Sequence, residues 1–171
     1  FKNQHDAERV NDALPKRFLK FGLSVHPQKT QLVRFEAPWR MKGKEPDTFN
    51  FLGFTHYWGK SRRGKWIVKR KTAKDRLAKA IKGINLWCQK NRHLKLKAQY
   101  GILVQKLRGH YNYYGINGNF RCLKLFLYEV RRKWRYWLNR RNRENRMPWD
   151  RFVLLLKTYP LPVPKIAHTI C

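Results

Sequence analysis

Lys60, Arg62, Arg63, Lys65, Lys69, Arg70 and Lys71 crowd into one short stretch, with Gly59 and Gly64 among them. Cations on a glycine-containing loop suit phosphate oxygens, which accept charge-assisted hydrogen bonds whatever the base sequence. A second group, Arg108, His110, Tyr113 and Tyr114, joins a cation to flat rings. That combination grips and stacks single-stranded or A-form RNA. A third group, Arg131, Arg132, Arg135, Arg140, Arg141 and Arg143, falls largely opposite Trp134 and Trp137 if one helix carries them, giving a basic face. The alternative for each cation is a solvated side chain, and for each ring a place in the core, which is the reading for Tyr111.

Bond-making chemistry is harder to assemble. Two-metal nucleotidyl transfer needs carboxylates from separate elements converging on ions about 4 Å apart. Asp6 and Glu8 sit at a helix start, where acidic side chains suit the dipole, and Glu45 and Asp47 flank Pro46 in a loop. Neither pair makes a metal site. The six histidines show no His-x-His or His-x-x-x-His spacing, and no Walker-type glycine loop occurs. His93 and His110 are followed three positions on by Leu96 and Tyr113, not by the arginine of a tyrosine recombinase. Cys88, Cys122 and Cys171 fit neither a zinc ribbon nor a disulfide framework and read as buried thiols in a reducing compartment. The sequence carries no complete active site and no metal ligands.

Charge sets the partner. Forty Lys and Arg face ten Asp and Glu, a net charge of +30, and self-repulsion of that size calls for a polyanion. Residues 1–47 carry ten basic and six acidic side chains, whereas residues 48–171 carry thirty and four. From Arg76 to Tyr128 no acidic residue occurs, although a solvated helix surface normally mixes signs. Nucleic acid is the implied partner. A membrane is excluded as a spanned medium, because no apolar run approaches the roughly 20 residues required.

The elements that must position these groups follow from periodicity. Ala7, Val10, Leu14, Phe18 and Phe21 predict a helix from Asp6, which caps it, to Gly22, which ends it, with Pro15 as a kink and one face on a sheet. Leu23–Val25 and Gln31–Phe35 alternate as strands, and 37–48 reads as a polar loop. Phe49–Phe54 reads as a strand with a bulge or a close backbone approach at Gly53. His56–Trp58 and Trp66–Lys69 bracket the basic loop as a hairpin. Thr72–Asp75 fits a capping box. Three apolar stripes follow: Leu77, Ala80, Ile81, Ile84, Trp87 and Cys88; Leu96, Tyr100, Leu103, Leu107, His110, Tyr111 and Tyr114; Leu123, Leu127, Val130, Trp134 and Trp137. Three helices with those stripes share one core. A short helix after Pro148 is expected to bury Trp149, Phe152, Val153 and Leu156, before Pro160, Pro162 and Pro164 impose an extended tail. The fold class is α+β, a small mixed part with antiparallel strands followed by a helical bundle.

Several of these stretches match a known family in order and spacing. Asp6–Arg9, then Arg17 to Thr30 (RFLKFGLSVHPQKT), then Phe49–Phe54 (FNFLGF), resemble the back half of the palm of group II intron reverse transcriptases. Arg108–Tyr114 (RGHYNYY) resembles the core of the family's maturase-specific region, and the likeness runs through Trp149 to the Pro-Leu-Pro-Val-Pro tail. It covers essentially the whole chain. The resemblance implies three parts: 1–71 as the end of the palm with a primer-grip-like strand and basic hairpin, 72–146 as a helical thumb and maturase domain, and 147–171 as a short helix and tail. It also implies RNA-directed DNA polymerase activity for the complete protein, with splicing and mobility of its intron RNA.

The family's Tyr-Ala-Asp-Asp turn and its further metal-binding aspartate precede the position of Phe1, so this chain is expected to be a fragment, inactive alone. Mg²⁺ would serve the complete enzyme through ligands outside this sequence. By the same resemblance, Lys29 takes the place of a catalytic lysine near the departing pyrophosphate, with a plain turn residue as the alternative. Phe51, Leu52, Gly53 and Phe54 take the place of the primer grip, where glycine lets the primer backbone approach. The implied partners are intron RNA and an RNA/DNA template–primer, without a membrane, in the bacterial cytoplasm or, alternatively, an organelle. A stand-alone RNA-binding or splicing module without polymerase activity is the competing reading. The sequence upstream of Phe1 separates the two.

Overall fold

The computed structural model of the chain describes all residues except 2, 29, 41–46, 142–145 and 170–171. Two compact units divide it, residues 1–49 and 50–171. In the first, the apolar period of the opening residues makes α1 (Gln4–Leu19), which starts two residues before Asp6 and runs through Pro15. Gly22 ends it as expected. At φ +69° that residue donates its N–H to the Leu19 carbonyl (3.1 Å), while Leu23 donates to Phe18 (3.0 Å), the crossed pair of bonds that closes a helix on a left-handed glycine.

Two expectations fail in this unit. Helix α1 buries none of its residues, and the described residues of this unit supply no sheet for its apolar stripe to rest on. Residues 23–25 and 31–35 form no strand. Leu23 and Leu32 are more than half exposed, and a lone two-stranded hairpin without a buried face does not hold together in water. The chain turns instead at His26, whose carbonyl accepts from both the N–H (3.1 Å) and the hydroxyl (3.0 Å) of Thr30. A 3₁₀ turn over Pro38–Arg40 follows in the stretch read as loop.

Strands β1 (Phe49–Phe51), β2 (Phe54–Lys60) and β3 (Trp66–Thr72) make a sheet in that order. The sequence reading of Phe49–Phe54 as one strand is corrected here. Leu52 and Gly53 take φ of +47° and +79°, the signature of the two-residue turn whose twist matches paired strands, so FNFLGF is a hairpin. Between β2 and β3 the register runs from Phe54 opposite Thr72 to Lys60 opposite Trp66. Their loop is Arg62-Arg63-Gly64: Gly64, at φ +74°, donates to the Ser61 carbonyl (3.1 Å) and Ser61 donates to Lys65 (2.7 Å). This is the three-residue hairpin loop that requires a left-handed third position.

Helices α2 (Lys74–Lys90), α3 (Leu96–Tyr114), α4 (Phe120–Asn139) and α5 (Trp149–Thr158) complete the α+β fold. The three expected stripes converge. Ile84, Cys88, Leu103, Leu107, Tyr111, Leu123, Leu127, Val130 and Trp134 are buried in one cluster, joined by Phe126, Phe152 and Leu161. Each large side chain buried there contributes about 1.5–3 kcal/mol. Helix α5 buries Phe152 but leaves Trp149 and Val153 43% and 50% exposed, because Trp149 lies beneath the Arg135 guanidinium (4.5 Å) instead of in the core.

Two buried amides hold the connections. Gln99 receives the Trp134 indole N–H (2.9 Å) on Oε1 and turns Nε2 to the carbonyls of Asn91, Arg92 and Leu94, satisfying the α2–α3 turn. Fully buried Asn119 accepts the Thr72 N–H (2.8 Å) and donates to Thr72 Oγ1 and the Tyr114 carbonyl (2.8 Å each). Thr72 is therefore not a helix cap. Its hydroxyl is taken by Asn119, and Ala73 is the N-cap of α2, which has no side-chain cap. The proline tail is extended along α3: Tyr100 and Tyr111 donate their hydroxyls to the carbonyls of Pro160 and Pro162 (3.2 Å each), and Ala167 and His168 donate to Gly115. A side chain at Gly115 would place its Cβ 2.3 Å from the Tyr111 carbonyl.

Asn119→Ala strands the buried Thr72 N–H, at roughly 1–3 kcal/mol, and removes one of the two donors to the Tyr114 carbonyl, which keeps the Ile116 N–H (2.9 Å). Urea denaturation should show a loss toward the upper end of that range, clearly larger than that of Thr72→Val, which removes only the hydroxyl. Equal losses in the two variants would count against the amide as the organising contact.

Candidate nucleic-acid interface

The type and twist of the β2–β3 hairpin decide where its charges go. Arg62 and Arg63 occupy the first two loop positions and are exposed, as is Lys65 beside them. Behind the tip, Lys60 lies over the Trp66 ring (5.5 Å) and Lys71 over Tyr57 (5.0 Å). Lys69 is half-buried, its stem against Gly59, where a Cβ would meet Lys69 Cδ at 2.8 Å. Arg70 is also half-buried, opposite His56. Three cations thus lead at the tip, and the other four line the ribbon behind it.

The turn Phe51–Phe54 and the ring-rich end of α3 are brought together. Tyr113 donates its hydroxyl to the Leu52 carbonyl (3.0 Å) and stacks on Phe54 (ring centroids 6.0 Å, planes 9° apart). Tyr114 covers Gly53, where a Cβ would lie 3.1 Å from its hydroxyl. Where the sequence suggested a bulge or a close backbone approach at Gly53, the group that closes over it is a tyrosine side chain of the same chain. Phe51 and Leu52 are 59% and 67% exposed, so the turn presents its apolar tip outward. Burial raises the Tyr114 hydroxyl above its usual range, with the Tyr113 hydroxyl adding to the effect.

His110 stands between Phe126 (3.8 Å, near parallel) and Tyr114 (4.6 Å), and its buried Nε2 has no hydrogen-bond partner. Burial lowers its pKa to about 4. Arg108 is exposed and lies outside this cluster. Of the four residues grouped by sequence, Arg108 and Tyr113 therefore face solvent, while His110 and Tyr114 are largely packed.

On α4 the arginines are mostly engaged. Arg131 is half-buried, its Nε enclosed without a partner. Arg132 pairs with Glu129 (2.8 Å), Arg135 donates from Nε to the Met147 carbonyl (3.1 Å), and Arg140 donates to the Tyr136 hydroxyl (2.8 Å). Arg141 reaches the Leu94 carbonyl. Lys29 and Arg143 lie outside the described residues.

Cys88 is buried and its thiol is pushed up to about 12 by desolvation. Among the described residues no three His, Cys, Asp or Glu side chains converge, so these residues do not fit a divalent-metal site. Nor is any helix among them long and apolar enough to cross a membrane. Ion pairs among the described residues are Arg34–Glu36, Arg76–Asp75 and Arg132–Glu129. In the acid-free span from Arg76 to Tyr128 every Lys and Arg is exposed, and of these only Arg76 has a carboxylate partner among the described residues. Sequence reasoning missed Gln99 and Asn119, whose side chains carry no periodic signal, and a cleft involving Asn85, Tyr136 and Trp149. Comparison of the chain with protein-family models, curated proteins and solved structures finds no match.

The His110 environment sets a pH dependence. Its folded pKa lies below the ordinary 6.5, so the unfolded chain binds the proton first as pH falls. Stability is full above pH 6.5 and declines toward pH 4. Melting temperature measured from pH 7.5 to 5, above most carboxylate titrations, should fall in the parent chain and stay flatter in His110→Phe; identical slopes would contradict the buried neutral imidazole.

Proposed function

We propose that this chain grips RNA, as the C-terminal palm, thumb and maturase portion of a group II intron reverse transcriptase. The observation that carries the RNA-binding part is the exposed cations of residues 76–128, which are almost wholly without carboxylate partners. A surface so arranged stores repulsion that a phosphate backbone relieves by counterion release. The Arg62–Arg63 tip belongs to the same compact unit and extends that surface onto a ribbon. The family assignment rests on the sequence motifs. Under it, Phe51–Phe54 would meet the primer and Lys29 the departing pyrophosphate.

In the complete enzyme Mg²⁺ would support nucleotide addition. Among the described residues of this chain no three His, Cys, Asp or Glu side chains converge. The second reading is an RNA-binding splicing module without polymerase chemistry. A Tyr-x-Asp-Asp turn encoded upstream of Phe1 would select the first reading, and an upstream sequence without it the second. Either way, the purified 171-residue chain with primed RNA, nucleotides and Mg²⁺ should extend no primer; incorporation above background would contradict both readings of this piece.

Binding of structured RNA should weaken steeply with salt. Arg62→Ala, Arg63→Ala and Lys65→Ala combined should lower the slope of log affinity against log salt by about two, since each lost phosphate contact removes roughly 0.7–0.9. All RNAs should weaken alike, because such contacts position without reading bases. An unchanged slope by fluorescence anisotropy would remove the hairpin tip from the interface.

A further inference from the structure

A cleft of about 450 Å³ opens between α2, α4 and the start of α5. Its walls alternate charge and ring: Arg132, Lys133 and Arg135 with Tyr136, Trp137 and Trp149. Among the described lining residues there is no carboxylate, although Glu129 pairs with one Arg132 nitrogen. The volume falls within the range of sites that enclose a small organic ligand.

The cleft is held open by bonds that use its framework and spare its rim. Asn139 clamps Met147 from both sides, accepting its N–H on Oδ1 (2.8 Å) and donating from Nδ2 to its carbonyl (3.3 Å). Arg135 adds a bond to that carbonyl and lies flat over Trp149, fixing the ring as one wall. On the other side the Trp137 indole donates to Asn85 Oδ1 (2.9 Å), which leaves the Asn85 amide N–H groups as donors. Tyr136, whose hydroxyl accepts from Arg140 and whose ring Arg140 covers on one face (5.2 Å), still keeps 46% of its surface exposed, and Lys133 is half-buried. The site thus offers a stacking ring, an amide donor for a heterocycle edge and ammonium and guanidinium groups for a phosphate.

We propose that this cleft takes one unpaired nucleotide of a bound RNA, its base beside Tyr136 and Asn85 and its phosphate toward Lys133 and Arg132. The inference rests on the RNA-gripping function proposed above and deepens it. The hairpin tip and the acid-free helices attract any phosphate backbone, whereas a walled cleft with rings and an amide distinguishes a flipped or looped-out base from a paired one. A free mononucleotide carries the same chemistry, and the test separates the two sources.

The full chain is titrated with two labelled RNA hairpins of equal length and charge, one with a single unpaired adenosine in its stem and one fully paired. The parent chain should prefer the unpaired form by about ten-fold, the scale of one stacked base. Tyr136→Ala combined with Lys133→Gln should abolish the preference and leave the paired hairpin bound within about two-fold. Arg62→Ala with Arg63→Ala should weaken both equally. Equal binding of the two hairpins by the parent, or a preference that survives the cleft variant, overturns the cleft and spares the general function. No binding of either RNA overturns both. If circular dichroism shows the variant unfolded, photocrosslinking of the parent chain to 5-iodouridine at the unpaired position decides: adducts at Tyr136 or Trp149 support the cleft, and adducts elsewhere only refute it. Saturable tryptophan quenching by AMP as tight as that by RNA would assign the cleft to a free nucleotide and refute the strand reading.

Discussion

The buried amide of Asn119 is the contact on which unit 50–171 turns. It joins the last residue of β3 to the last residue of α3, at the very start of α4, so one side chain fixes where the sheet meets the bundle. An amide suits the task because it presents a donor and an acceptor in one plane, matching a backbone N–H on one side and a carbonyl on the other. Apolar packing alone would let the hairpin slide along α3. The hydrogen bonds have direction and are costly to break without water, so they specify one seating. Tyr113 and Tyr114 then fasten the start of β2 at the same end of the sheet, where Phe54 faces Thr72, through the Leu52 carbonyl and over Gly53.

That arrangement gives the basic ribbon a rigid base. A free hairpin of two strands is marginal in water. Here β2 is flanked by β1 and β3, and the end of the sheet nearest the bundle is bolted to α3. The Arg62–Arg63 tip lies at the far end of β2 and β3 from that attachment, and the register fixes how far it projects.

What the sequence made legible follows from how each signal works. The helical stripes from Leu77 to Trp137 reappear as one core because burial in a bundle is periodic, and each helix declares its inner face. Gly22 and Gly64 were legible because only certain backbones need glycine there, whereas Gly59, read as the near edge of the loop, lies within β2. Leu23–Phe35 misled because alternation marks a half-buried strand only where something covers the face, and nothing in the local pattern tells whether it does. Phe49–Phe54 misled because its aromatic density masked a turn whose left-handed pair includes Leu52, a residue that rarely adopts it. Asn119 and Gln99 were invisible: a single polar residue in a helix connection reads as surface until the fold closes over it. Among the basic residues, sequence gave identity but not availability, and Arg131, Arg135 and Arg141 turn out to spend polar groups inside the molecule.

A chain with so few carboxylates must hold its cations by other means. Lys60, Lys71, Lys106, Lys124, Arg135 and Arg140 each lie over an aromatic ring of the same unit, and Arg132 does so while also pairing with Glu129. A carboxylate would orient a cation and cancel its charge, whereas a ring face attracts it by about 0.5–1 kcal/mol at an exposed site and leaves the full charge in place. Orientation without neutralisation is what a phosphate-binding surface needs, since an ion pair would first have to be broken before a phosphate could compete for the cation. It also explains the aromatic content outside the core. Trp66, Tyr128, Tyr136 and Trp149 are all more than a third exposed, an arrangement that core packing alone gives no reason for, and each carries a cation on its face. Rings and charges on this surface are therefore one device, in which the ring aims the cation and the cation in turn shields the ring from water.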